Sequence, residues 1–128
     1  MSRSVLLQVA RDSIQEVLQG HRSIDKKTLL SKHPLLNNKI STTVNIYIQN
    51  KLHGTSSSKN NSLSLLEDII LNAKKSAFED KNFTPLSTSQ YLECEIEILL
   101  NTEDGVISEK DPAILKTTTY SIENELDS

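Results

Sequence analysis

Two short segments contain polar residues that could take part in binding or catalysis. The first contains His53, Gly54 and Thr55, and the second contains Asp80 and Asn82. A histidine can act as a general base at neutral pH, and a threonine hydroxyl becomes a nucleophile only beside such a base. Each residue also has a structural interpretation: His53 as a surface or structural residue, and Gly54 as a bulge or a backbone position that tolerates no side chain. For Asp80 we favour a cap on backbone N–H groups in the turn after the helix. The segments predict a ligand-binding cleft only if the fold brings them together.

The other residues with reactive or ligating side chains give weak signals. The three histidines are widely spaced, and the single cysteine, Cys94, lies on the apolar side of an alternating segment and is interpreted as a core residue. Glu93, Glu95 and Glu97 occupy the opposite side and are interpreted as a solvated charge row. The sequence contains no glycine-rich phosphate loop and no cysteine cluster for an iron–sulfur centre. It therefore identifies no catalytic residue, metal site or cofactor.

Composition limits the class of protein. The chain has 128 residues, a net charge of −3 and 36% hydrophobic residues, with no tryptophan. This length predicts one domain, residues 1–128, with an aliphatic core. A slightly acidic chain lacks the excess of lysine and arginine that nucleic acids and membrane surfaces attract. Because no apolar run resembles a signal peptide or a membrane span, we expect a cytoplasmic protein.

Helical periodicity predicts two amphipathic helices. The first follows the apolar stripe from Val5 to Leu18 and ends at Gly20, and the second begins at the capping pair Ser64 and Glu67. Short helical turns are expected after Asp25 and between Ser87 and Gln90. The polar side of the first helix is predicted to face solvent; it comprises Arg11, Asp12, Gln15 and Glu16.

Alternating polarity predicts the strands. One strand covers 40–48, a turn follows at 49–51, and a return strand begins at Leu52. Residues 55–64 are interpreted as a loop, and a strand covers 92–100 before a turn at Asp104–Gly105. Residues 106–128 are weakly patterned, with one candidate strand at 117–122. The predicted fold class is α+β, an antiparallel sheet with two amphipathic helices packed on one face.

In this order the segments resemble the AMMECR-type domain, the A component of the AmmeMemoRadiSam gene clusters of bacteria and archaea. The family begins with a helix of the form LLxxARxxI, and residues 6–14 read LLQVARDSI. The family hairpin ends in LRGCIG, where residues 52–57 read LHGTSS. The family segment AAFxDPRFxPL corresponds to SAFEDKNFTPL at residues 76–86. The resemblance covers roughly residues 5–100.

The sequence departs from the family pattern at the positions where the family has a cysteine and two arginines. Thr55 occupies the position of the family cysteine, and His53 and Asn82 replace two arginines. Family members also continue past this length, and residues 106–128 resemble none of their later segments. The resemblance therefore implies a short, diverged member. Since the family has no established activity, it implies a fold and a context that includes Memo-like and radical SAM proteins.

Three functional hypotheses follow. The first is a non-catalytic binding or accessory module, because the polar site residues of the family are replaced while the scaffold persists. The alternative is a small enzyme or ligand-binding component for a small polar metabolite or a modified nucleotide, with a cleft bordered by His53, Thr55, Asp80 and Asn82. The third is an incomplete domain that completes its sheet as a homo-oligomer.

Overall fold

The computed structural model describes residues 4–114, which form a four-stranded antiparallel sheet covered on one face by helices. The strands lie in the order β2–β1–β3–β4. The two long helices pack against each other and against the sheet, which confirms the predicted fold class. The strands are β1 Ser41–Ile48, β2 Lys51–Ser57, β3 Cys94–Thr102 and β4 Gly105–Asp111. The helices are α1 Val5–Gln19, α2 Lys26–Lys32, α3 Leu65–Phe78 and α4 Thr88–Glu93, with a short 3-10 helix at Pro34–Asn37.

Local sequence signals set the bounds of the helices. The Ser4 hydroxyl caps α1 by accepting the N–H of Leu7, and Gly20 ends the helix in the left-handed conformation with φ 73°. Asp25 caps α2. Only half of the capping pair at α3 forms: Ser64 accepts the N–H of Glu67, while the Glu67 carboxylate lies 3.0 Å from Lys26. At α4 both halves of the capping box between residues 87 and 90 form.

Alternation along β1 and β3 places the apolar core between the sheet and the helices. The inward residues of these strands are buried; they are Thr42, Val44, Ile46, Cys94, Ile96, Ile98 and Leu100. Gln49 and Asn50 both have positive φ, 52° and 66°, as the tight turn of a two-residue hairpin requires. Apart from Leu99, the outward residues of the same strands are polar, and they form the face of the sheet that the helices of residues 4–114 leave uncovered.

Two parts of the strand prediction are wrong. The polar segment predicted as a loop at 55–64 begins as strand, because β2 continues to Ser57 and pairs there with β1. The segment after Gly105 was not predicted to be a strand, yet β4 pairs along its length with β3. Because β4 is the last strand of the described sheet, its apolar residues Val106 and Ile107 are 65% and 53% exposed. Apolar and polar residues therefore alternate only weakly along this strand. The candidate strand at 117–122 lies outside the described residues.

The prediction that Arg11 faces solvent is also wrong, since this side chain is 1% exposed. Its Nε donates to Asp111 Oδ2 at 2.6 Å, and its terminal nitrogens donate to the carbonyl oxygens of Tyr91, Cys94 and Pro112 at 3.2, 2.8 and 3.0 Å. A fifth contact reaches the sulfur of Cys94 at 3.4 Å. A guanidinium has five N–H donors, and here each has an acceptor. Arg11 therefore joins α1 to the start of β3 and the end of β4.

Candidate functional site

The first predicted segment lies at a bulge in β2. Ile46 of β1 pairs with Gly54, whereas the next residue, Tyr47, pairs with Leu52, so His53 is the extra residue. A Cβ atom on Gly54 would lie 1.9 Å from the carbonyl oxygen of Ser76 in α3. The geometry supports the interpretation of Gly54 as a backbone position that tolerates no side chain, because β2 and the backbone of α3 approach too closely for one.

The Asp80 carboxylate joins the second segment to the first. Its Oδ2 accepts the backbone N–H of Thr55 at 3.1 Å, and its Oδ1 accepts the backbone N–H of Asn82 at 3.0 Å. The ring of Phe83 in the same loop lies 5.8 Å from the ring of His53. The structure thus brings the five predicted residues together, with Asp80 as a cap on backbone N–H groups. Asn82 takes part through its backbone.

A row of directly paired residues crosses all four strands on the uncovered face of the sheet. In sheet order it consists of Thr55, Asn45, Glu97 and Lys110. Thr55 Oγ1 donates to Asn45 Oδ1 at 2.6 Å, and Asn45 Nδ2 donates to Glu97 Oε1 at 3.1 Å. Tyr47 donates its hydroxyl to the same Glu97 oxygen at 3.0 Å. We call these five residues the polar sheet face.

Burial and a neighbouring charge keep the Tyr47 hydroxyl of the polar sheet face protonated. Partial burial, and then the adjacent Glu97 carboxylate, raise the pKa of Tyr47, so its hydroxyl remains a donor at neutral pH. The ammonium group of Lys110 lies 5.0 Å from the centre of the Tyr47 ring. The result is an ordered surface that presents an aromatic ring, a cation and a half-buried carboxylate.

The hydrogen bonds limit the chemistry of Thr55. Its hydroxyl donates to an amide oxygen, which has no capacity to remove the proton, so the arrangement does not activate Thr55 as a nucleophile. The Nε2 atom of His53 is buried and has no hydrogen-bond partner among the described residues. These contacts fit the recognition of another molecule better than covalent catalysis.

Sequence reasoning missed most of the polar sheet face. The interpretation of the glutamates as a solvated row is wrong for Glu97, which is half-buried and accepts two hydrogen bonds, and Glu93 ends α4 rather than joining the strand. Asn45 and Tyr47 lie on the polar side of the alternation that predicts the strand at 40–48, and nothing else in the sequence marks them. Their two-residue spacing was the available signal, whereas Lys110 lies on the unpredicted strand.

Cys94 is fully buried on the inner face of β3, in agreement with its interpretation as a core residue. Burial raises the pKa of its thiol, and the nearby Arg11 only partly offsets this effect. The thiol donates to the carbonyl oxygen of Tyr91 at 3.2 Å. Cys94 therefore lacks the exposure and the thiolate character of a reactive cysteine.

Within residues 4–114, no group of three or more histidine, cysteine, aspartate or glutamate residues is placed to hold a metal ion. Among the helices of the same residues, none is long and apolar enough to cross a membrane.

Comparison with known proteins identifies the family. The chain is similar in fold to the crystal structure of the uncharacterized protein PH0010 from Pyrococcus horikoshii, with a TM-score of 0.67 and 24% sequence identity. The similarity covers 74% of this chain and 48% of that one, so the chain spans about half the length of this neighbour. A comparison with curated proteins finds no match. The AMMECR1 family model matches residues 7–120, beyond the predicted end of the resemblance near residue 100, and the chain therefore belongs to the AMMECR1 family.

Proposed function

We propose that this chain is a non-catalytic binding module, an accessory component that contacts other proteins of a multi-protein system. The observation that carries the proposal is the hydrogen-bonded row on the polar sheet face. Its side chains hydrogen-bond to one another, from Thr55 through Asn45 to Glu97, and among the described residues no base accepts the proton of the Thr55 hydroxyl. Such a network provides a rigid surface for recognition rather than an activated nucleophile.

The composition of the polar sheet face supports protein recognition. Tyrosine is enriched at protein interfaces because it combines a large apolar ring with a hydroxyl donor. Tyr47 stands beside Leu52, its partner on β2, and Leu52 is 42% exposed. Lys110 and Glu97 add charges of both signs, which would set the orientation of a partner. Because α1 and α3 cover the opposite face, residues 4–114 leave this surface open to a protein of similar size.

The proposed partners come from the family context. Because the chain resembles the A component of AmmeMemoRadiSam clusters, we propose that it binds the Memo-like protein or the radical SAM protein of such a cluster, in the cytoplasm. Replacement of the family cysteine by Thr55 and of two arginines by His53 and Asn82 fits a member that keeps the scaffold for binding.

The binding proposal predicts that Lys110→Glu weakens the complex. Reversing this charge removes the cation beside Tyr47 and places a second carboxylate next to Glu97. The purified chain would be titrated with the purified Memo-like and radical SAM proteins of its organism, by sedimentation velocity and biolayer interferometry. We expect one of them to bind, and Lys110→Glu to raise the Kd about tenfold or more, equivalent to about 1.4 kcal/mol.

Lys39→Glu provides the matched control, since it makes the same charge change at an exposed lysine outside the polar sheet face. Equal weakening by both variants, or no binding to either protein, would overturn the proposal. The same sedimentation run reports the mass of the chain alone and so tests self-association. The exposed Val106 and Ile107 on β4, which ends the described sheet, are the residues we propose for such a contact.

The second candidate function is ligand binding at the β2 bulge. The observation that favours it is the buried Nε2 of His53, which has no hydrogen-bond partner within residues 4–114. A buried ring nitrogen without a hydrogen bond costs stability unless a ligand or water satisfies it. Saturation-transfer NMR with adenosine and uridine as probes would show a signal for the native chain. His53→Phe should abolish that signal, and His33→Phe should preserve it. A signal unaffected by His53→Phe, or no signal at all, would exclude this candidate for nucleosides.

A further inference from the structure

A cleft of about 610 Å³ lies in the helical layer, away from the polar sheet face. It is bordered by the end of α1, the loop that leads into α2, and α3. We call it the α1–α3 cleft. Its wall contains three cations and two carboxylates; they are Arg22, Lys26 and Lys74 with Glu16 and Asp25. Its volume is typical of small-molecule sites, which range from roughly 300 to 1,000 Å³.

The Glu16 carboxylate makes its hydrogen bonds and its ion pair within the protein. Its side chain is 9% exposed, its Oε2 accepts the N–H groups of Ser23 and Ile24 at 2.7 and 2.9 Å, and its Oε1 lies 3.1 Å from Lys74. Burial alone would raise the pKa of Glu16, but these hydrogen bonds and the ammonium charge outweigh burial and lower it. Glu16 therefore remains ionised, and both of its oxygens already contact groups of the protein.

The Asp25 carboxylate also accepts hydrogen bonds from the protein. Its Oδ1 accepts the N–H of Thr28 at 3.1 Å, and its Oδ2 accepts the Thr28 hydroxyl at 2.8 Å. These two hydrogen bonds lower the pKa of Asp25. The two carboxylates of the cleft thus stabilise the loop and the start of α2 through hydrogen bonds.

The three cations retain donors for a ligand. Lys74 is 33% exposed and uses one contact for Glu16, although an ammonium group has three N–H donors. Lys26 is 51% exposed, and its ammonium group donates to both oxygens of the Glu67 carboxylate at 3.2 and 3.0 Å, which leaves one of its three N–H donors. Arg22 is exposed, and its guanidinium makes no hydrogen bond or ion pair within residues 4–114, which leaves five donors. The wall of the cleft therefore has one more cation than carboxylates and offers N–H donors, while both of its carboxylates already accept hydrogen bonds.

We propose that the α1–α3 cleft binds a small phosphorylated metabolite, with the phosphate group between Arg22, Lys26 and Lys74. A phosphate monoester carries nearly two negative charges and three terminal oxygens, so it can accept hydrogen bonds from cations on three different elements at once. A monocarboxylate has one charge and two oxygens and satisfies fewer of them. The rest of the cleft volume holds the organic part of the ligand. This site is independent of the partner surface on the sheet.

The test is an NMR titration of the native chain with AMP, inorganic phosphate and acetate at constant ionic strength. Ionic strength is fixed because salt screens non-specific attraction of anions to surface charges. We expect saturable shifts of the backbone amide signals of Ser23, Ile24 and Lys74 with AMP and with phosphate, and much weaker shifts with acetate. Linear, non-saturating shifts, or acetate binding as tight as AMP binding, would overturn the proposal.

The matched variants are Arg22→Ala and Lys39→Ala. Both remove one exposed positive charge, and neither side chain makes a hydrogen bond within the described residues, so both proteins should remain folded. Arg22→Ala should raise the Kd for AMP at least about fivefold, and Lys39→Ala should leave it unchanged. Lys74→Met provides a second removal of a phosphate contact with the same expected direction. Equal affinities in all three variants would show that the cleft does not bind the phosphate.

Discussion

Replacing Arg11 with methionine is expected to lower the free energy of unfolding by about 3–5 kcal/mol. Methionine fills a similar elongated space, but it supplies none of the five N–H donors that meet carbonyl, carboxylate and sulfur acceptors. The change would also remove the positive charge beside Asp111, which is only 5% exposed. A buried carboxylate that loses its cation is among the most destabilising defects a single substitution creates. Urea unfolding followed by circular dichroism measures the loss.

Arg22→Met is the matched control, because Arg22 is exposed and its side chain makes no bond within residues 4–114. It should change stability by less than about 0.5 kcal/mol. The double variant Arg11→Met with Asp111→Leu should recover part of the loss, since it replaces both charged partners with apolar groups. A loss below about 1 kcal/mol for Arg11→Met alone would contradict the structural role assigned to the guanidinium.

The burial of Arg11 shows why parts of the fold escape sequence reasoning. Along α1 this residue lies four positions after Leu7 and three before Ile14, so it falls on the apolar stripe, and that spacing was the available signal. Its acceptors lie 80 to 101 residues further along the chain. No local pattern identifies such partners. The prediction that Arg11 faces solvent therefore rested on its charge alone. Such a prediction is correct only when no carboxylate from a distant part of the chain pairs with the arginine.

The helices and strands that were predicted correctly are marked by strong local sequence signals. The helices α1 and α3 have apolar stripes, capping serines and, for α1, a left-handed glycine, while β1 and β3 alternate because only one of their faces is buried. The strand β4 lacks this constraint, since its position at the end of the described sheet leaves apolar and polar residues exposed alike. Alternation is thus informative only where burial differs between the two faces.

The candidate site shows the same division between local and distant information. Resemblance selected His53, Gly54, Thr55, Asp80 and Asn82, and the structure brings them together through hydrogen bonds between the two segments. The hydrogen-bonded row beside them depends on the register that places Asn45 of β1 opposite Glu97 of β3. A register shift of one residue would place these groups on opposite faces, and the sequence specifies that register only through the burial of the whole strand.

Gly54→Ala is expected to lower the free energy of unfolding by about 3 kcal/mol, because an added methyl group has no space. The new Cβ would lie 1.9 Å from the carbonyl oxygen of Ser76 and 2.9 Å from its carbonyl carbon. These are backbone atoms of α3, so the contact is relieved only if β2 moves away from the helix. That movement would also displace Thr55 from Asp80 and shift the amide signals of both residues in an NMR spectrum.

Gly20→Ala separates the steric effect from the general effect of replacing glycine. At Gly20 an added Cβ has nothing within 4 Å, and only the positive φ of 73° opposes the change, at a cost of about 1–2 kcal/mol. We therefore expect Gly54→Ala to be the more destabilising variant and the only one of the two to disturb the bulge. If both variants lose the same stability and the Thr55 amide signal does not move, β2 tolerates a side chain at this position. The glycine would then be a feature of the binding surface rather than a requirement of packing.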